Sequence, residues 1–439
     1  MKMSFTIKDT HSYLDSLLVF GVKLGLKNME AMCELLDNPQ KSLEFIHVAG
    51  TNGKGSVCSM LAASLKNCGL KTGFYSSPYL CNFNERWRIN GIEVDDEDVS
   101  SAVKQISDIE ESLVEKTGVR PTYFEVLTAV ALLIFKKHNA DIVVWETGLG
   151  GRLDATNVVH PLVSVITNVE LDHTEYLGET FLDIAYEKGG IVKRGVPFVC
   201  GEHKVEVVNY FKQLSSSLNA PSVFAADYCA EGEPLLYADG RCIRNVKYRS
   251  SSKSVSVKIN DPGLYQIQNV GVALATLEKL EELKSWNFEK MTQGLEKFRW
   301  PGRLEVRENG MILDGAHNPK GALAVVESLK ELRPGIKLHF ICGILKDKNW
   351  KEVVRIFSEL ADSFYFVTLQ NERSSDADHL KEYAESLDIK VSGCGNSAEA
   401  LDEAKKRPEQ TVAVGSLYLI GELLSLLQEG KPLLIDSLT

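Results

Sequence analysis

A chain of 439 residues, 44% hydrophobic and 25% charged, is long enough for two or three domains with separate cores and has the make-up of an ordinary globular protein. Its formal net charge of −11 disfavours an extended nucleic-acid footprint, and its longest purely apolar stretch, residues 129–135, is far too short to span a bilayer. Nine cysteines with no Cys-x-x-Cys pair argue against disulfides and structural zinc, and the polar, mixed-charge first residues lack a targeting pattern, so a cytoplasmic protein is expected.

Residues 44–50 (EFIHVAG) read as a buried strand ending in a glycine turn. After it Val57, Met60, Leu61, Ser64, Leu65 and Cys68 recur at helical spacing. A second strand is predicted at 73–77, and a helix over 124–138 with Leu127, Val130, Ala131 and Ile134 on one face. Residues 141–146 and 163–169 are apolar on both faces, as central parallel strands are. This is the βαβ rhythm of an α/β sheet.

From about 222 to 262 the pattern changes. Asp239-Gly240 lies between extended segments, a hairpin signal, and 254–259 alternates, so a small antiparallel sheet is expected beside the main one. A helix around 269–283 follows. At Arg299-Trp300-Pro301-Gly302-Arg303 the rhythm restarts after a Pro-Gly linker signal. Strand-like 311–316, 338–343, 364–369 and 411–416 then alternate with helices starting near Gly321, Trp350, Ala377 and Ser397. The division expected is 1–298 and 299–439, the second unit the smaller.

The strongest local signal is Gly50-Thr51-Asn52-Gly53-Lys54-Gly55-Ser56, set between a strand and a helix, where backbone N–H groups and a lysine cradle phosphates. Val48 stands where the general phosphate loop has its first glycine. A glycine turn with a solvated lysine is the competing reading, and the strand–turn–helix context favours phosphate. Glu146 ends one strand and His173 lies just past the next, so both project at the carboxyl edge of a parallel sheet, where ligands bind in open α/β folds. Alone, such a glutamate would more often be a structural ion pair, and such a histidine a satisfied surface or core residue.

Thr51-Asn52-Gly53-Lys54 resembles the amide-forming ligases that include the peptidoglycan-building amino-acid ligases and the folate-glutamate ligases. The other blocks are similar to the folate branch. They are Ser76-Ser77-Pro78 with Phe83-Asn84-Glu85-Arg86, the run Glu146 to Asn157 containing Gly150-Gly151-Arg152-Leu153-Asp154, Leu171-Asp172-His173, Glu187-Lys188-Gly189-Gly190-Ile191, Trp300-Pro301-Gly302-Arg303, Asp314-Gly315-Ala316-His317-Asn318-Pro319 and Gly415-Ser416-Leu417-Tyr418. Found in order along nearly the whole chain, they identify a member of the folylpolyglutamate and dihydrofolate synthases.

The resemblance implies a P-loop ATPase-type parallel-sheet domain with a small antiparallel flanking sheet, plus a smaller Rossmann-like C-terminal domain. It implies a ligase that uses ATP and Mg²⁺, with two metal ions, to add L-glutamate to dihydropteroate and to the glutamyl tail of reduced folates through an acyl phosphate. A folylpolyglutamate synthase alone, or another Mur-type amide ligase, stays open beside it. From other classes, so do a P-loop kinase or hydrolase and a nucleotide-binding regulator.

By the same resemblance ATP meets Gly50 to Ser56, Asn269, Arg303 and Asp314. Ser77, Glu146, His173 and Lys188 hold metal, Lys188 as a carbamate, and Lys54, His173, Lys188 and His317 carry the catalysis. Arg86, Thr122, Phe124, Asp154 and Ser416 meet substrate. Phe124 is expected to stack on a pterin and Asp154 to accept from its 2-amino edge, against a structural reading in which Phe124 is core and Asp154 caps the turn before Thr156. The family's Gly-x-His-Gln is Gly263-Leu264-Tyr265-Gln266 here, so no role carries over to position 265. The expected partners are small molecules, with no nucleic acid or membrane, and the expected working unit is a monomer.

Overall fold

The computed structural model describes residues 6–21, 23–238 and 241–427. Two α/β sheets carry the architecture. The first has eight strands in the spatial order Ile92–Glu93, Trp87–Ile89, Thr72–Tyr75, Ile142–Glu146, Phe45–Ala49, Val163–Ile166, Phe198–Cys200 and Ser222–Phe224. The six from Thr72–Tyr75 onward are parallel, and the two at the far edge are antiparallel. Alternate residues of the central strands feed opposite cores. Phe45, Val143 and Trp145 pack on one face with the helix Tyr123–Lys137, while Ile46, Val48, Ile142 and Val144 pack on the other with the helices Lys54–Asn67 and Tyr265–Lys284. Burial on both faces explains why these strands read as continuous apolar runs.

The small antiparallel sheet is present, with Arg241–Arg249 central to Leu236–Ala238, Ser254–Ile259 and Cys229–Gly232. The Asp239-Gly240 turn expected between two of these strands lies outside the described residues. The second α/β sheet runs Glu305–Val306, Ile312–Leu313, Thr411–Val414, Leu338–Cys342, Ala361–Val367 and Val391–Gly395, parallel except for its first pair. Phe340, Phe364 and Phe366 face one of its cores, and Ile341, Tyr365 and Val367 the other.

Several elements were not anticipated. The helix Asp96–Thr117 has the signals of one, since Asp95 caps its start, Asp96, Glu97 and Asp98 lie in the first turn, and Gly118 ends it in the left-handed region. The helices Ile7–Asp15 and Lys27–Leu35 are short, and the former buries only Thr10 and Leu14. Among the described residues no helix is long and apolar enough to cross a membrane. All nine cysteines are free thiols.

Candidate active site

The phosphate-loop motif joins the strand Phe45–Ala49 to the helix Lys54–Asn67. Its backbone is pinned by the end of the neighbouring strand. Thr51 N donates to Asn168 O and Asn52 N to Asn168 Oδ1, both at 3.0 Å, while Thr167 Oγ1 and Asn168 Nδ2 donate to Asn52 O at 2.7 and 2.9 Å. Lys54 Nζ folds back onto Gly50 O at 3.0 Å. Gly50 sits at φ +153°, and a Cβ there would collide with Thr167 Oγ1. Gly50→Ala therefore has to push the loop off Thr167. We expect at least a tenfold rise in the Kd for a nucleotide analogue by calorimetry, about 1.4 kcal/mol; unchanged affinity would contradict this loop geometry.

Glu146, at the end of its strand, lies at the same edge and is buried. Burial pushes its carboxyl up to about 7 against the opposing charge of Lys54, and Ser77 N donates to it at 3.4 Å. His173 holds a left-handed backbone conformation, φ 50°, at the start of the short helix Thr174–Leu177. Burial, with the neighbouring ammonium of Lys348, lowers its imidazole to about 4, which keeps it neutral at physiological pH. Lys188, near the end of the helix Phe181–Gly189, is 3% exposed. Its amine is lowered to about 7 by burial and then by the charge of Lys54. A buried carboxylate with a sparse donor shell, a serine, a neutral imidazole and an amine lowered to about 7 form a donor set that suits a divalent cation shared with phosphate oxygens. Among the described residues no group of three or more His, Cys, Asp or Glu is placed to hold a metal by itself.

The second sheet closes the site from across the cleft. Asp314 and His317 follow the strand Ile312–Leu313. Asp314 is buried, which raises its carboxyl against the charge of Arg303, and it accepts from Ala316 N, Leu304 N and Tyr265 OH at 2.8 Å each. His317 shares a 2.9 Å hydrogen bond between Nδ1 and Gly315 O; the carbonyl only accepts, so Nδ1 carries the proton and Nε2 faces Asp172 Oδ2 at 3.7 Å. Asn318 Nδ2 reaches Asn52 Oδ1 at 3.0 Å and Asp172 Oδ2 at 3.3 Å.

Lys348, which the sequence reading missed, donates to Asp172 Oδ1 at 2.8 Å and lies 3.3 Å from His173 Nε2. Although burial opposes it, the His317 and Lys348 contacts hold the Asp172 carboxyl well below the usual range. A signal for Lys348 existed: it lies in the turn after the strand Leu338–Cys342, the same strand-end position that singled out Glu146 and Asp314.

Asn269 is buried and donates to Gln266 Oε1 at 2.7 Å, behind the phosphate loop. Of the residues expected to meet substrate, Arg86 is buried, its guanidinium 5.0 Å from the Tyr79 ring centroid. Thr122 caps the helix Tyr123–Lys137 in a reciprocal pair with Glu125. Phe124 lies over Gly148, where a Cβ would strike its ring, and 6.3 Å from the Tyr75 ring centroid. Asp154 makes the turn-capping contacts of its structural reading. It is buried and accepts from Leu149 N at 2.7 Å, from Thr156 N at 3.0 Å and from the Thr156 hydroxyl. Ser416 is buried, and its hydroxyl accepts from Tyr418 N at 2.9 Å.

Two family models match the chain, the Mur ligase middle domain over residues 48–277 and the Mur ligase glutamate ligase domain over residues 302–416. The chain is 34% identical to the dihydrofolate synthase/folylpolyglutamate synthase of Bacillus subtilis, across 95% of this chain and 98% of that one. Among solved structures it is similar to E. coli FolC in complex with DHPP and ADP, with TM-score 0.84, 28% identity and coverage of 96% and 98%. It is also similar to a bifunctional folylpolyglutamate synthase/dihydrofolate synthase with Mn, AMPPNP and L-glutamate bound, with TM-score 0.82, 30% identity and the same coverage.

Proposed function

The chain belongs to the Mur ligase family, in its dihydrofolate synthase/folylpolyglutamate synthase branch, and we propose that it joins L-glutamate by an amide bond both to dihydropteroate, making dihydrofolate, and to the glutamyl tail of reduced folates. It is an ATP-dependent ligase that uses a divalent cation. The observation that carries this reading is one cleft with a phosphate loop on one wall and the Asp314–His317 and Lys348 turns on the other, joined through Asp172 and Asn52. Such a cleft holds an acid and its activating nucleotide on one side and presents an amine from the other. We take residues 1–298 as the activating unit and 299–439 as the glutamate-accepting unit. We take a monomer as the working form.

A carboxylate is a poor acyl donor because its leaving group would be oxide. In the first step a carboxylate oxygen of the folate substrate attacks the γ-phosphorus of ATP and ADP departs, leaving an acyl phosphate. Lys54 and the N–H groups of residues 53–56, at the start of the helix Lys54–Asn67, neutralise the transferring charge, the main task in phosphoryl transfer. Ser77, Glu146 and His173, with Lys188 as its carbamate, would hold two Mg²⁺ ions. When bound, the cations add further neutralisation of the phosphate oxygens.

In the second step the glutamate amine attacks the acyl carbon, and the tetrahedral intermediate expels phosphate. His317, oriented by the Nδ1 bond to Gly315, lies beside the Asp172 carboxylate, and this pair is placed to meet the proton that the glutamate ammonium must lose. Closure of the cleft excludes the water that would otherwise hydrolyse the acyl phosphate. Phe124, half-buried over Gly148, offers a face for the pterin, and Asp154 shapes the turn beneath it.

Mass analysis of products tests this reading. With ATP, Mg²⁺ and L-glutamate, dihydropteroate should give dihydrofolate and tetrahydrofolate should gain one glutamyl residue. Extension of tetrahydrofolate alone would restrict the enzyme to polyglutamate synthesis, and ADP without either amide would reject the ligase assignment.

A further inference from the structure

The segment Asp261 to Asn269 bridges the two units through a single helical turn. On one side it braces the phosphate loop: Gln266 Nε2 lies 3.4 Å from Ser56 Oγ and donates to Asp261 Oδ2 at 2.9 Å, while its Oε1 accepts from Asn269 Nδ2 at 2.7 Å. Asn269 in turn crowds Gly53 so closely that no Cβ fits there. Tyr265, the first residue of the helix Tyr265–Lys284, points the other way. Its ring packs against the hydrophobic core of the second sheet, and its hydroxyl donates to Asp314 Oδ2 at 2.8 Å. Beside it, Leu264 N donates to Ser328 Oγ in the second unit at 3.0 Å.

The other donors to Asp314, Leu304 N before the strand Glu305–Val306 and Ala316 N in the turn of Asp314 itself, belong to the same unit and orient the carboxylate within it. They do not fix the distance of that turn from the phosphate loop. Among the described residues, the one side chain from the first unit that donates to Asp314 is Tyr265. Consecutive helix residues project about 100° apart, so Tyr265 and Gln266 reach opposite walls of the cleft from adjacent positions. A phenol also suits this task mechanically, since a rigid ring with few torsions sets a length that a flexible chain does not.

We propose that Tyr265 is a positioning residue that sets Asp314 against the bound nucleotide, tying the carboxylate on one wall to the helix turn that braces the phosphate loop on the other. This rests on the reading that Asp314 meets ATP. Tyr265 acts through Asp314 and not on substrate directly, so removal of its hydroxyl should matter only while the Asp314 carboxylate is present.

A double-mutant cycle reads that dependence without needing turnover. The Kd of Mg-AMPPNP is measured by calorimetry for the full-length wild type, Tyr265→Phe, Asp314→Ala and the double variant. Tyr265→Phe keeps the ring in the core, and its melting temperature, within a few degrees of wild type, controls for folding. The expected result is about tenfold weaker binding from Tyr265→Phe in the wild-type background and less than twofold in the Asp314→Ala background. Equal losses in both backgrounds, or less than twofold in the first, would overturn the proposal. Parallel assays of wild-type turnover keep the readings apart: no glutamate-dependent ADP release would defeat the ligase reading, while the binding cycle would still decide the role of Tyr265.

Discussion

Replacing Lys54 with alanine is expected to lower kcat/KM for ATP by at least about 100-fold, or about 2.7 kcal/mol of transition-state stabilisation. The lysine starts the helix after the phosphate loop, and its ammonium is folded onto Gly50 O, inside the loop that its own backbone shapes. Its charge is felt by Glu146, His173 and Lys188 alike, so it is central to the electrostatics of this wall. Arginine should not rescue the loss, because a planar guanidinium does not replace a compact ammonium in a tight loop. Turnover within threefold of wild type in the purified alanine variant would remove the phosphate-loop assignment.

Lys188 should produce the second large effect. A protonated lysine is seldom buried without a partner, and this one, at 3% exposure, has its amine lowered to about 7. Only the neutral amine adds CO₂, and its share rises as pH passes through 7. Enzyme depleted of CO₂ at pH 6 should therefore be poorly active and should recover on adding bicarbonate at pH 8. Labelled CO₂ should give a carbamate carbon signal that Lys188→Ala lacks, and that variant should lose about 100-fold in kcat, since removing one stabiliser of transferring charge typically costs that much. A bicarbonate-independent wild type with no carbamate signal would contradict the modification.

Much of the first wall of the site was legible because it is local. A strand, a glycine-rich turn and a helix start are encoded within about a dozen residues, and the same strand-end logic placed Glu146, His173 and Asp314. What stayed hidden depends on distant partners. Asn318 and Asn52 are 266 positions apart, and Lys348 and Asp172 are 176 apart; no period or spacing encodes such pairs. Thr167 and Asn168, which fix the phosphate loop, sit in a stretch read only as strand. The first helix escaped because a helix of nine residues that buries two side chains carries little periodic signal. Thr122, Asp154 and Ser416 show a different limit. Each makes hydrogen bonds that hold a turn, and the side-chain types that hold turns are also those that meet ligands, so residue type alone does not separate the roles.

The acyl phosphate is the central claim, and oxygen transfer tests it most directly. Dihydropteroate carrying ¹⁸O in its carboxylate is incubated with enzyme, ATP, Mg²⁺ and L-glutamate, and the inorganic phosphate is analysed by mass. The oxygen that attacks the γ-phosphorus stays with phosphate when the amine displaces it from carbon, so each amide formed should yield one phosphate bearing a single ¹⁸O. Amide formation with unlabelled phosphate would contradict the account.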